Sequence, residues 1–338
     1  MTLTTSLRHL LPLLALAALL AGPAAAQQPT SVNPTASSVK EKQLLDALKP
    51  GSTDTVSGRI SIPDARAGNL IQPAGKEFRT FRQETLPTVG GYAIVGMLLL
   101  LSLFYLIRGR IAISTGPSGQ TILRFGSMSR FAHWLSAVSF IALGLTGLNL
   151  VFGKTLLLPI IGPDAFTGLT QVGKFVHNYV SFAFALGIIL MFVMWVKDNV
   201  PSLRDLRWFA QGGGLVGLGH PPAERFNGGQ KIIFWSTVLG GAALAVSGYL
   251  MMFKPIEIAI GGLQLATVIH GLVGLIMVAI IFAHIYIGSV GMEGAFDAMG
   301  KGRVDLNWAR EHHSLWVDRV AKSRPKDISG GHAPAPGE

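Results

Sequence analysis

From residue 88 onward the chain is organised in long apolar blocks separated by short polar ones. Five such blocks stand out, at about 88–107, 127–152, 171–196, 231–253 and 263–290. Each is near the ~20 residues that a helix needs to cross a bilayer. Within lipid, only a helix satisfies its backbone groups inside one segment, so the pattern predicts an all-α membrane protein. Residues 27–86 are polar and rich in Ser, Thr, Pro and Lys, with little apolar periodicity. They read as an extended arm with a short helix near 39–48. Before them, Arg8 and His9 precede an apolar run over 10–20 and then Ala24-Ala25-Ala26. That run is too short to span and has the shape of a cleavable signal peptide. The expected division is a signal peptide at 1–26, a periplasmic arm at 27–86, an additional transmembrane helix at 87–110, a four-helix bundle at 127–295 and a cytoplasmic tail at 296–338.

Charge gives the predicted helices a direction. With the arm outside, sixteen basic residues fall on the inner loops and tail, from Arg108 to Lys326, against three (Lys154, Lys174 and Lys254) on the outer short loops. The positive-inside rule thus agrees with the signal peptide and places the chain in a bacterial inner membrane. The formal charge of +10 belongs to this topology, and nucleic acid is not an expected partner. Only 14% of residues are charged, well below the quarter or so usual in soluble domains. The sequence has no cysteine, which excludes iron–sulfur clusters, thiolate-bound metals and covalently attached haem on this chain. A metal here must be held by histidine or oxygen ligands.

Four of nine histidines lie within the predicted spans: His133, His177, His270 and His284. Ionisable residues in a bilayer are costly and mark function more often than structure. His270 and His284 share the last span. Fourteen residues is close to four turns, so both project from nearly one face, about 21 Å apart along the axis. The topology puts His177 and His270 in the outer half and His133 and His284 in the inner half. Haem iron takes two axial ligands from opposite faces. Two haems b are therefore expected, an outer one between His177 and His270 and an inner one between His133 and His284. The fold class becomes a four-helix di-haem transmembrane bundle with an extra N-terminal helix. Gly144, Gly147, Gly240, Gly241, Gly248, Gly271 and Gly274 leave room for a flat cofactor, and Arg130 and Lys174, one turn before His133 and His177, either meet haem propionates or snorkel to the interface. His220, His312, His313 and His332 read as surface residues without a specific task.

The stretches RFAHW (130–134), KFVHNY (174–179), RFNGGQK (225–231), VIHG (268–271) and FAHIYIG (282–288) together resemble the gamma subunit, cytochrome b, of membrane-bound formate dehydrogenase. The resemblance covers a little over half the chain. It implies an iron–sulfur beta subunit that hands electrons to the outer haem, and a molybdenum or tungsten alpha subunit that oxidises formate. It further implies that a quinone, ubiquinone or menaquinone, is reduced near the inner haem. The quinone-contacting element of that family falls on Asn227, Gly229, Gln230 and Lys231, with Asn227 and Gly229 as the candidate quinone residues. Read without the resemblance, Asn227-Gly228 is equally a turn that caps the fourth span. The chain itself would be the electron-transfer and quinone-reducing subunit of an oxidoreductase, with lipid around it.

Two other readings stand beside this one. The same electron wire could serve a hydrogenase or thiosulfate reductase, because the docked partner sets the substrate. Alternatively, the chain could be a haem-free anchor or small transporter whose histidines are polar glue between helices.

Overall fold

The computed structural model describes residues 73–214, 219–255 and 258–330. The expected signal peptide, the arm as far as residue 72, the short helix near 39–48 and His332 lie outside the described residues. Among the described residues, five helices are long and apolar enough to cross a membrane, and the protein is a multi-pass membrane protein.

The first span begins earlier than its apolar block suggests. Helix α1 (Pro73–Thr80) runs through a π-helical turn (Phe81–Thr85) into α2 (Leu86–Arg108) without a break. The end of the segment read as extended arm is thus helical. Pro87 concealed this continuity. Its ring clashes with the carbonyl four residues back and its nitrogen donates nothing, and the wider π turn just ahead of it absorbs the mismatch. One face of α2 packs closely on the last span, α7 (Ile260–Tyr286). Leu86 sits over Gly271 and Leu275 over Gly90, where a Cβ on either glycine would overlap the leucine. Small residues of this kind let membrane helices touch where no hydrophobic force separates protein from lipid.

Helices α3 (Ser127–Leu156) and α4 (Leu158–Trp195) form a long antiparallel hairpin. Gly162 has φ of 79°, and the helix proper starts at Pro163. A left-handed glycine breaks the chain, and proline then fits the first turn, where its missing donor costs nothing. The sequence placed this helix at 171 because residues 163–170 are too polar to look like a span. They are helical nevertheless, held to α3 by Asn149 Nδ2 donating to Thr170 Oγ1 at 3.1 Å. The hairpin therefore rises beyond the apolar zone.

After α4 come the short α5 (Leu203–Ala210) and then α6 (Gly228–Phe253). Helix α6 starts on a reciprocal cap. The Gln230 backbone N–H donates to Asn227 Oδ1 at 2.9 Å, and the Asn227 N–H donates to Gln230 Oε1 at 3.2 Å. Two orphan donors of the first turn are satisfied this way.

The end opposite the hairpin tip carries structure that the apolar pattern did not predict. Strand β1 (Gln120–Leu123) pairs antiparallel with β2 (Arg303–Asp305) on one side and β3 (Ile328–Gly330) on the other. The all-α expectation holds for the spans and fails here. Helix α8 (Asp297–Gly300) precedes β2, and α9 (Leu306–Ser323), capped by Asp305, lies between the two tail strands. Ile122 and Val304 are fully buried, each worth about 1.5–3 kcal/mol of apolar burial. Trp308, Trp316 and Val317 of α9 join Phe226, Phe234 and Trp195 in one continuous core. The tail is therefore folded onto the bundle.

Candidate functional site

Helices α3, α4 and α7 bring the four intramembrane histidines into two pairs. His133 of α3 faces His284 of α7 with ring centres 6.1 Å apart. His177 of α4 faces His270 of α7 with ring centres 6.0 Å apart. The first pair lies toward the sheet, the second toward the hairpin. Two imidazoles bound to opposite faces of one iron place each coordinating nitrogen about 2 Å from the metal. Adding ~1.1 Å to each ring centre gives about 6 Å between centres. Both pairs match that spacing, so both fit a six-coordinate haem. The two rings of each pair are not hydrogen-bonded to one another.

The surroundings of the pairs differ. At the hairpin end, Thr146 Oγ1 lies 2.8 Å from His177 Nδ1, and Ser247 Oγ lies 3.0 Å from His270 Nδ1. At the sheet end, His133 Nδ1 is buried without a protein partner among the described residues. Nothing in the sequence singled out Thr146 or Ser247, since hydroxyl residues inside spans commonly bond their own helix. Arg130, one turn before His133, donates from Nη1 to the Gly300 carbonyl at 3.0 Å, while its buried Nε has no partner among the described residues. Lys174 is exposed.

Asn227 sits at the sheet end, at the start of α6. Its side-chain oxygen is committed to the helix cap, while its amide nitrogen makes no hydrogen bond among the described residues. The capping reading of this residue is therefore correct as far as the oxygen goes, and the nitrogen stays available to a ligand. Gly229 packs on the Trp208 ring, 3.2 Å from where its Cβ would stand. Gly228 and Lys231, the neighbours of these two residues, line a groove of about 760 Å³ whose wall includes Phe209, Ile232 and Trp235. Lys231 is buried and donates to Asp205 Oδ2 at 2.9 Å. Burial works to raise the Asp205 pKa, but hydrogen bonds from Lys231 and Ser202, with the lysine charge, outweigh it and hold the carboxyl below its usual range.

Two histidines read as idle surface groups prove to be core. His313 is fully buried and His312 nearly so. Arg124 Nη2 donates to His313 Nε2 at 2.9 Å, and His313 Nδ1 donates to the Glu224 carbonyl at 2.7 Å. An arginine can only donate, so His313 is the neutral Nδ1–H tautomer. Burial, then the Arg124 charge, then His312 push its pKa well below the ordinary value. His312 falls to about 4 through burial, with His220 and Arg124 adding to it. Arg124 stands among the rings of Phe125, Trp308 and Trp316 at 5.2–5.4 Å. Burial, followed by repulsion from Arg225, lowers it to about 9. Arg124 also donates to the Arg225 carbonyl at 2.8 Å and approaches Gln230 Oε1 at 3.4 Å. It thereby ties the tail to the loop that carries Asn227.

Several known proteins similar to this chain are named as formate dehydrogenase subunits. The nitrate-inducible formate dehydrogenase cytochrome b556(Fdn) subunit of Escherichia coli K12 is 27% identical over 219 residues, covering 62% of this chain and 96% of its own. The formate dehydrogenase cytochrome b556(fdo) subunit of the same organism is 27% identical over 213 residues, covering 61% and 97%. The formate dehydrogenase cytochrome b556 subunit of Haemophilus influenzae is 26% identical over 209 residues, covering 60% and 85%. The model of prokaryotic cytochrome b561, a haem b family, matches residues 124–302, which take in all four paired histidines, and the chain belongs to that family.

Proposed function

We propose that this chain is the cytochrome b subunit of a formate dehydrogenase and carries electrons across the membrane to a quinone. The observation that carries the reading is the pair of histidine pairs, each with ring centres about 6 Å apart. The names of the similar proteins supply the formate link and favour it over a hydrogenase or thiosulfate reductase. Haem b, when bound, supplies a one-electron carrier at each pair. The protein's part is to hold and orient it. His177 and His270 would hold the outer haem, and His133 and His284 the inner one. Because α7 carries one histidine of each pair, fourteen residues apart, the two pairs are separated by about 21 Å along its axis.

The proposed orientation rests on the basic residues, which concentrate at the sheet end and, by the positive-inside rule, support a cytoplasmic side there. Electrons enter at the hairpin end from an iron–sulfur beta subunit, which takes them from a molybdenum or tungsten alpha subunit. They leave at the sheet end to ubiquinone or menaquinone. Asn227 Nδ2 would donate to a quinone oxygen, with Gly229 beside it in the first turn of α6, packed on Trp208. The loop borders cytoplasmic water, so the protons of quinone reduction come from that side. Electrons crossing inward with protons taken up inside make each turnover separate charge.

The test is the haem content of the purified complex. Pyridine haemochrome should give two haems b per chain, both low-spin, and His270→Ala should remove the outer one while leaving the inner site occupied. One haem or none in the unmodified protein overturns the wire. The subunits that co-purify should include an iron–sulfur protein and a formate-oxidising enzyme. A hydrogenase in their place would replace the formate assignment.

A further inference from the structure

Each histidine of the hairpin-end pair rests on a hydroxyl–glycine dipeptide of a neighbouring helix: Thr146-Gly147 on α3 for His177, and Ser247-Gly248 on α6 for His270. Neither sheet-end ring has a hydroxyl partner among the described residues. The direction of the two bonds follows from where each hydroxyl proton goes. Thr146 donates its proton to the Ala142 carbonyl at 2.8 Å, and Ser247 donates to the Ala243 carbonyl at 2.6 Å. A hydroxyl has one proton to give and two lone pairs, so each oxygen accepts from the imidazole. Nδ1 is thus the protonated nitrogen of both rings, and Nε2 keeps the lone pair that a metal needs. The glycines let the rings lie against the helices. A Cβ on Gly147 would stand 3.6 Å from His177 Cε1, and one on Gly248 only 3.1 Å from His270 Cε1.

We infer that Thr146 and Ser247 are positioning residues that lower the reduction potential of the hairpin-end haem relative to the sheet-end haem. This rests on the reading of the four histidines as axial ligands. An imidazole that donates from Nδ1 is a stronger electron donor at Nε2, and it favours the more highly charged, oxidised iron. Each hydroxyl is a better acceptor because its own proton is drawn toward a carbonyl. Two such bonds act on one iron at the hairpin end. At the sheet end His133 Nδ1 has none among the described residues. An electron that arrives at the hairpin end is therefore driven toward the sheet end, and the direction of the wire is built into the helices.

The experiment is a potentiometric titration of the intact complex, followed by haem absorbance and low-temperature EPR. It compares the unmodified protein with Thr146→Val, Thr146→Ser and Ser247→Ala. Valine is nearly isosteric with threonine, so it removes the hydroxyl and little else. The lower of the two midpoints should rise in Thr146→Val by roughly tenfold in reduction equilibrium, about 59 mV for one electron. The other midpoint should not move. Ser247→Ala should shift the same midpoint in the same direction, and Thr146→Ser should restore it. Midpoints unmoved in both hydroxyl-free variants with two haems bound overturn the inference, as does a downward shift or a serine variant that fails to restore. Should Thr146→Val lose haem, Ser247→Ala, which deletes a single oxygen, decides the question. The underlying ligand assignment fails separately, if His177→Ala keeps both haems.

Discussion

Asn227 does two things at once, and one substitution separates them. Its side-chain oxygen caps α6, accepting from the Gln230 N–H at 2.9 Å, a bond whose loss costs about 1 kcal/mol in a typical helix. Its amide nitrogen is the proposed donor to the quinone. Asn227→Asp keeps the acceptor, adds a favourable negative charge at a helix N-terminus and deletes the donor. A net hydrogen bond is worth about 0.5–1.5 kcal/mol, and about 1.4 kcal/mol is tenfold in affinity. The KM for quinone in formate-driven turnover should therefore rise about two- to tenfold in Asn227→Asp, with the thermal midpoint unchanged or higher. Asn227→Ala should show the same rise together with a thermal midpoint lower by roughly 2–4 °C, the usual effect of 1 kcal/mol in a domain of this size. Haem absorbance should be unaltered in both, since Asn227 is no ligand. A normal KM in Asn227→Asp, with only the alanine variant losing stability, would reduce Asn227 to a helix cap and remove it from the quinone site.

Reporter fusions after Arg110 and within residues 254–262 should give cytoplasmic and periplasmic signals respectively, and the reverse would invert the haem assignment. Acid should loosen the sheet end before the spans. His312 and His313 are held neutral in the folded protein, so between about pH 6.5 and about pH 4 the unfolded chain binds protons that the folded chain refuses. Stability is then full above pH 6.5 and falls through that window, by about 3 kcal/mol for His312 alone. Tryptophan fluorescence from Trp308 and Trp316 should report it, and an acid transition unchanged in His312→Phe would contradict the argument.

What the sequence displayed was governed by lipid, and what it concealed was governed by tertiary contact. Apolar blocks must be long to span, so the five spans were visible. Ionisable groups must justify their place in lipid, so His133, His177, His270 and His284 stood out, and the fourteen-residue spacing on α7 already set which depths they share. Residues 73–86 and 163–170 were missed because they are helical without being apolar. Their helicity is inherited from the α2 and α4 that they extend. The strands were invisible because three or four residues carry no period, and Ile122 becomes core only when Val304 arrives from the far end of the chain. His313 gave no local sign either. Its burial depends on Arg124, and neither residue lies near the other in sequence.

That sheet also orders the birth of the molecule. Arg303 Nε donates to Thr121 Oγ1 across 182 residues of chain, and between those two positions lie four of the five spans. Strand β1 leaves the ribosome unpaired and waits, at roughly 5–20 residues per second, some ten to forty seconds for its partners. All four of these membrane helices must be threaded before β2 and β3 can close on it. Closure of the sheet consequently follows synthesis of the last span. It also buries Arg124 against His313, and so fixes the loop of Asn227 only in a chain whose insertion is complete.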